Sequence, residues 1–138
     1  MTVFFDTNVL IYSISPAPEE EAKRDVARTL LDRSDGVLSV QVLQEFYAQA
    51  TRPSRPGRLG HEEAAGFVRA WTRFTVQDNT LSVLEAALEI VATYRFSYWD
   101  SAVIAAARTA GCSELFTEDL SHGQVVEGVR IVNPFRPA

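Results

Sequence analysis

Val3-Phe4-Phe5-Asp6-Thr7-Asn8-Val9-Leu10-Ile11-Tyr12 begins with a short unbroken apolar run that stops at an acid and resumes as a mixed segment. Such a run reads as a buried strand of a parallel sheet handing over to a helix. Gly36-Val37-Leu38-Ser39-Val40, Glu114-Leu115-Phe116-Thr117 and Val129-Arg130-Ile131-Val132 have the same character, and Phe74-Thr75-Val76 is a weaker fifth candidate. Between them lie stripes at helical spacing: Ala22, Val26, Leu30 and Leu31; Leu43, Phe46, Tyr47 and Ala50; Ala64, Phe67, Val68, Trp71 and Phe74. Leu81 to Tyr94 and Trp99 to Ala110 complete the set, the last closed by Gly111 in the position favoured just past a helix end. Strands alternating with helices predict an α/β fold, a parallel sheet covered on both faces, in one domain over residues 1–138.

Ligands of open parallel sheets bind outside the carboxyl ends of the strands, so the residues just after each apolar run are the ones to inspect. Asp6 follows the first strand and Asp119 follows Glu114-Leu115-Phe116-Thr117. Each also has a structural use, as a helix N-cap or a turn residue. Glu45 is turned away from the Leu43, Phe46, Tyr47 and Ala50 stripe, which makes it solvent-facing unless the fold builds a cleft on that side. Asp100 stands three residues after Ser97, the spacing of a capping box, although an acid at a helix start can cap and still offer an oxygen to a metal. As a group, several ionised acids need a cation or protonation to coexist, and oxygen-only ligands fit Mg²⁺ or Mn²⁺.

Other chemistries are poorly served. Two histidines, His61 and His122, and one cysteine cannot build a Cys/His zinc site, and no GxSxG or glycine-rich phosphate loop is present. Trp71, Trp99 and the phenylalanines fall on apolar stripes or strands, and are expected in the core rather than as base-stacking platforms. The lone Cys112 suits a reducing compartment, so a cytosolic protein is expected. The opening residues meet an acid too early for a signal peptide, and no apolar run approaches the roughly 20 residues that span a bilayer. A net charge of −5 opposes bulk attraction to nucleic acid. Against that, Arg52-Pro53-Ser54-Arg55-Pro56-Gly57-Arg58 carries three arginines and no acid, which reads either as a phosphate or partner contact or as a solvated loop.

Phe5-Asp6-Thr7-Asn8-Val9-Leu10-Ile11-Tyr12, Gln44-Glu45-Phe46-Tyr47, Tyr98-Trp99-Asp100-Ser101 and Thr117-Glu118-Asp119-Leu120, in that order, resemble the PIN-domain nucleases and, among them, VapC-type toxins of bacterial toxin–antitoxin pairs. The resemblance implies an α/β/α sandwich in which Asp6, Glu45, Asp100 and Asp119 coordinate Mg²⁺ or Mn²⁺, with Thr7 or Asn8 and Thr117 orienting the acids or the attacking water. It implies hydrolysis of RNA phosphodiesters, a homodimer, and silencing by a cognate antitoxin that fills the acidic cleft. Many relatives carry a further acid shortly after the position of Asp119, where Leu120-Ser121-His122-Gly123 has none, which places a second tightly held metal in doubt. Glu118 is expected to point away from the cleft if its segment is extended. A receiver switch would need paired acids after the first strand and a lysine after the last, and a haloacid-dehalogenase-type phosphatase a second Asp where Asn8 stands. The remaining alternative is a catalytically silent PIN-like module that binds RNA or protein.

Overall fold

The computed structural model describes residues 2–137. Val3–Phe5 forms β1, whose three side chains are all buried. The chain then enters α1 (Thr7–Ser13), passes a 3₁₀ turn at Pro18–Glu20, and continues through α2 (Glu21–Leu31), β2 (Gly36–Ser39), α3 (Val40–Ala50), α4 (His61–Trp71) and β3 (Thr75–Gln77). Next come α5 (Leu81–Tyr94), α6 (Tyr98–Thr109), β4 (Glu114–Phe116), β5 (Val125–Val126) and β6 (Val129–Val132).

The six strands form one sheet in the order β3-β2-β1-β4-β6-β5. Five of them run parallel, and β5 pairs antiparallel with β6 at the edge. This edge hairpin, turned by Glu127 and Gly128 at positive φ, was not expected from the sequence. Two residues of strand are too short to show an alternation. The helices flank the sheet as the α/β sandwich requires. From β1 the chain steps outward to β2 and β3, then returns through α5 and α6 across the sheet to β4. Right-handed crossovers place helices on opposite faces when the direction of travel reverses, so the reversal falls between β1 and β4.

α6 spans the returning face. It contacts β2, β3, β4 and β6, and every residue from Ser101 to Ala107 is buried. Five of the seven are Ala or Ser, whose small side chains let the helix lie close to the strands on one side and to α5 on the other. Across the sheet, α1 packs on α2 and α3, and α3 on α4, where Phe46 meets Trp71 edge-on at 4.7 Å. Among the described residues no helix is long and apolar enough to cross a membrane.

Gly36, at the start of β2, permits the closest approach in the core. A Cβ there would lie 2.5 Å from the Phe5 ring and 2.8 Å from that of Phe74, two rings already packed edge to face. Gly66, in the middle of α4, has nothing within 4 Å of such an atom. Gly36→Ala is therefore expected to lower unfolding free energy by about 1–3 kcal/mol through overpacking. Gly66→Ala is expected to raise it by up to about 1 kcal/mol through helix propensity. Urea denaturation of both variants reads the two opposite signs.

Candidate active site

The reversal between β1 and β4 leaves a crevice at the carboxyl edge of the sheet, and the pairing of these strands determines what enters it. Phe5 pairs with Phe116, so the next residues, Asp6 and Thr117, face each other across the crevice. Asp6 N–H donates to the Phe116 carbonyl at 3.0 Å, and Thr117 Oγ1 donates to Asp6 Oδ2 at 2.8 Å. Asp6 also caps α1, its Oδ1 accepting from Thr7 N–H at 2.7 Å. Capping and presentation at the cleft are thus performed by one carboxylate.

The hydroxyl of Thr117 is fully used. It donates to Asp6 and accepts from Asn8 Nδ2 at 3.2 Å and from Asp119 N–H at 3.1 Å. Asn8 Nδ2 also reaches Asp119 Oδ2 at 3.2 Å. On the α3 side, Glu45 is held by Thr7 Oγ1 at 3.0 Å and by Gln41 Nε2, one helical turn earlier, at 2.8 Å. Asp100 sits in the first turn of α6, where its N–H donates to Ser97 Oγ at 3.2 Å. Among the described residues its carboxylate makes no hydrogen bond, so half of the anticipated capping box is absent and the acid remains free.

Asp6, Glu45, Asp100 and Asp119, each from a different part of the chain, line one cleft of about 350 Å³ together with Thr7, Asn8 and Arg55. Thr117 lies behind it. Of the other two loop arginines, Arg52 lines an adjoining groove with Glu45 and Trp99, and Arg58 lines neither. Burial pushes the Asp6 carboxyl up to about 7 despite its donors from Thr117 and Thr7, and the charges of Asp119 and Glu45 push in the same direction. Asp119 is also raised, first by burial, against its bond from Asn8, and further by Asp100, Glu118 and Glu45. Asp6 and Asp119 therefore both sense the charge of neighbouring acids.

Among the described residues no three His, Cys, Asp or Glu side chains are grouped tightly enough to form a ready-made metal cage. The chemistry of the cleft nevertheless fits a hard cation. Its donors are oxygens, its acids repel, and the buried Asn8 Oδ1 has no hydrogen-bond partner. Asp6, Asp119, Glu45 and the unbonded Asp100, which line this cleft together, are the residues that would hold such an ion. A cation so held would lower the raised acids and could polarise a phosphate oxygen or a water.

Several residues around the cleft carried no clear local signal. Glu118, expected to point away from the cleft if its segment were extended, instead stands on a bend and lines the cleft, where Tyr12 donates to it at 2.5 Å and Lys23 at 3.2 Å. Nothing in the sequence links positions 95 and 106 apart. The Gln41–Glu45 pair could have been read from its i,i+4 spacing. Trp99 and Phe67 require a correction: both expected in the core, Trp99 is 63% exposed and lines the cleft and Phe67 is 38% exposed, whereas Trp71 is buried as expected. Trp99 stands in the first turn of α6, before the run of buried residues begins at Ser101, and among the described rings only Tyr98 packs on its indole.

A search of curated proteins finds no match for this chain. Among solved structures it is similar to a toxin–antitoxin complex from Klebsiella pneumoniae, with 19% identity, a TM-score of 0.73, and coverage of 99% of this chain and 100% of that one. It is also similar to a Mycobacterium tuberculosis VapC known as a sarcin-ricin loop cleaving toxin, with 24% identity, a TM-score of 0.66, and coverage of 86% and 92%. A DNA-bound VapBC from Salmonella typhimurium matches with 23% identity, a TM-score of 0.65, and coverage of 95% and 96%. At such identities these neighbours speak to the fold. The family model for the PIN domain matches residues 3–127, nearly the whole sheet and every acid of the cleft, and the chain belongs to the PIN domain family.

Proposed function

We propose that the chain is one nuclease domain over residues 1–138 that hydrolyses RNA phosphodiester bonds with Mg²⁺ or Mn²⁺, and that it is the toxin of a toxin–antitoxin pair. The observation that carries the proposal is the convergence of four carboxylates from separate elements on one cleft, with the most buried of them pushed up to about 7. A protein with no use for a cation would gain by replacing such a group with a neutral one.

In this proposal Asp6, Glu45, Asp100 and Asp119 hold the ion, which supplies Lewis acidity toward water and phosphate. Thr117 fixes the oxygen of Asp6 that faces β4, Thr7 and Gln41 aim Glu45, and Asn8 ties Asp119 to Thr117. Asp100 is the one acid left free to adjust as the ion binds. Arg55, which lines the cleft, contributes positive charge to a phosphate, and Arg52 extends it along the adjoining groove. Arg58 stands further away, with a role confined to the approach of RNA or of an antitoxin. A cytoplasmic location follows from the proposed substrate and the lone, buried Cys112.

Two partner assignments belong to the same proposal. A cognate antitoxin would insert a segment into the acidic cleft, a reading supported by similarity to proteins found in toxin–antitoxin complexes. A homodimer is supported by an exposed apolar stripe on α5, where Leu81, Leu84 and Leu88 are 73%, 38% and 48% exposed at one-turn spacings.

Cleavage of a mixed pool of structured RNAs by the purified protein is expected with Mn²⁺ or Mg²⁺, and not with EDTA. Asp6→Asn and Asp100→Asn should abolish it, and Thr117→Val, which strips Asp6 of a donor, should lower the rate by about 10- to 100-fold. Folded protein that binds metal yet cuts nothing would favour the silent binding module.

Without metal, stability should depend on pH in a defined direction. The folded-state pKa of Asp6 lies above its unfolded value, so the folded chain binds more protons between about pH 4 and 7. Unfolding free energy in EDTA is thus expected to fall by a few kcal/mol as pH rises through that window, and to level off above it. Asp6→Asn should flatten the profile. Mn²⁺ at 100 times its dissociation constant should add about 2.7 kcal/mol to the wild type at neutral pH. Thermal melts across pH, with EDTA and with Mn²⁺, check all three.

A further inference from the structure

We infer that Trp99 is a stacking platform for an unpaired RNA base next to the scissile phosphate; the inference rests on the proposed ribonuclease reading. Trp99 is 63% exposed, and its Cα is one peptide unit, about 3.8 Å, from that of Asp100. A large aromatic side chain left this open has no role in the core. Of the described rings only Tyr98 meets it, edge to face at 5.0 Å, which steadies the indole at the start of α6.

The position of the ring is what points to a base. Trp99 forms a wall of the acid cleft, where Arg55 lines the same space, and also of the adjoining groove that holds Arg52 and Gln49. A phosphate bound among the acids and their cation would leave its flanking nucleotide within reach of the indole. Every base has a π-face, and single-stranded RNA is commonly gripped by aromatic stacking, with hydrogen bonds to the exposed base edges. The carboxamide of Gln49 makes no hydrogen bond among the described residues and lines both spaces beside Trp99, so it is available to read such an edge.

Charge supports the same conclusion. The chain carries −5 overall, and the cleft concentrates acids, so a polyanionic substrate gains little from long-range attraction. Stacking is an uncharged contact that survives salt, and it would add to the phosphate contacts proposed for Arg55 and Arg52. The two contacts should therefore separate experimentally: Arg55 acts through phosphate and is salt-dependent, whereas Trp99 acts through the base and is not.

The test uses the full-length chain with Asp6→Asn as a cleavage-dead background, and titrates a single-stranded oligoribonucleotide cocktail by anisotropy and by tryptophan fluorescence. Parallel titrations use the same strands with abasic positions. Trp99→Ala is expected to weaken binding by about 5- to 100-fold, to abolish RNA-dependent quenching, and to leave the slope of log Kd against log salt unchanged. Trp99→Phe should retain most of the affinity, and Arg55→Ala should lower the salt slope by about 1. Abasic strands should lose affinity for the Trp99 parent and not for Trp99→Ala. In the cleavage-competent chain, Trp99→Ala should raise KM more than it lowers kcat. Unchanged affinity in Trp99→Ala, or equal losses on intact and abasic strands, would overturn the inference while leaving the nuclease reading intact. A Trp99→Ala chain that alters only the oligomeric state on light scattering, or only antitoxin affinity, would assign the ring to a protein contact instead. Failure of the parent to bind any RNA would overturn both readings together.

Discussion

The hydrogen bond between Thr117 Oγ1 and Asp6 Oδ2 is the constraint around which the site is organised. It exists because β1 and β4 pair in parallel with Phe5 opposite Phe116, so that the first residue past each strand faces its counterpart. A register slip of one residue would turn Asp6 and Thr117 to opposite faces of the sheet and break this hydrogen bond. The apolar pairing of β1 and β4 and the polar pairing beyond it therefore enforce each other. The core cannot shift without breaking the site, and the site cannot relax without shifting the core.

That arrangement is costly without a ligand. Asp6 is 7% exposed, and its two donors do not fully offset burial and the nearby acids. The surrounding side chains divide the acids into those held and the one left loose. Asp6 has Thr7 and Thr117, Asp119 has Asn8, and Glu45 has Thr7 and Gln41, while Asp100 has none. Three oriented carboxylates give a preformed shape, and on the proposed function a fourth that can adjust would let that shape tolerate small changes in ion position or substrate. The partnerless Asn8 Oδ1 is the complementary defect, a buried acceptor that awaits a donor or a cation.

How much of this was legible varied with the physics involved. Continuous apolar runs are produced by burial on both faces, so β1, β2 and β4 could be read directly; β6 was found too, although its burial alternates and Arg130 is exposed, and α5 falls on Leu81–Tyr94 as its periodicity predicts. Asp6 and Asp119 could be found as residues following strands. Glu45 could not be assigned from its helix alone, because periodicity reports which face is apolar and not what stands opposite the polar one. That answer came from Thr7, 38 residues away. The ties from Lys23 and Tyr12 to Glu118 are longer-range still. Trp99 was misread for a related reason: a stripe predicts burial only where another element lies beneath it, and sequence does not say where a sheet ends.

The placement of α6 has a further consequence for how an acidic chain could, on the proposed function, act on an acidic polymer. A crossover helix runs back against its strands, so its first turn emerges at the edge where the strands deliver their acids. In this chain that turn carries both a carboxylate, Asp100, and an indole, Trp99, one beside the other. On the proposed function the carboxylates would repel RNA until a cation offsets them, whereas contact with the indole would not depend on charge. On the proposed function, metal must therefore occupy the cleft before the phosphate can, while a base can be engaged at any ionic strength. Binding would then divide into a charge-gated part at the acids and a charge-independent part at the ring. The selectivity of the enzyme would follow less from its overall field than from which RNAs can offer an unpaired base at the right distance from a cleavable bond.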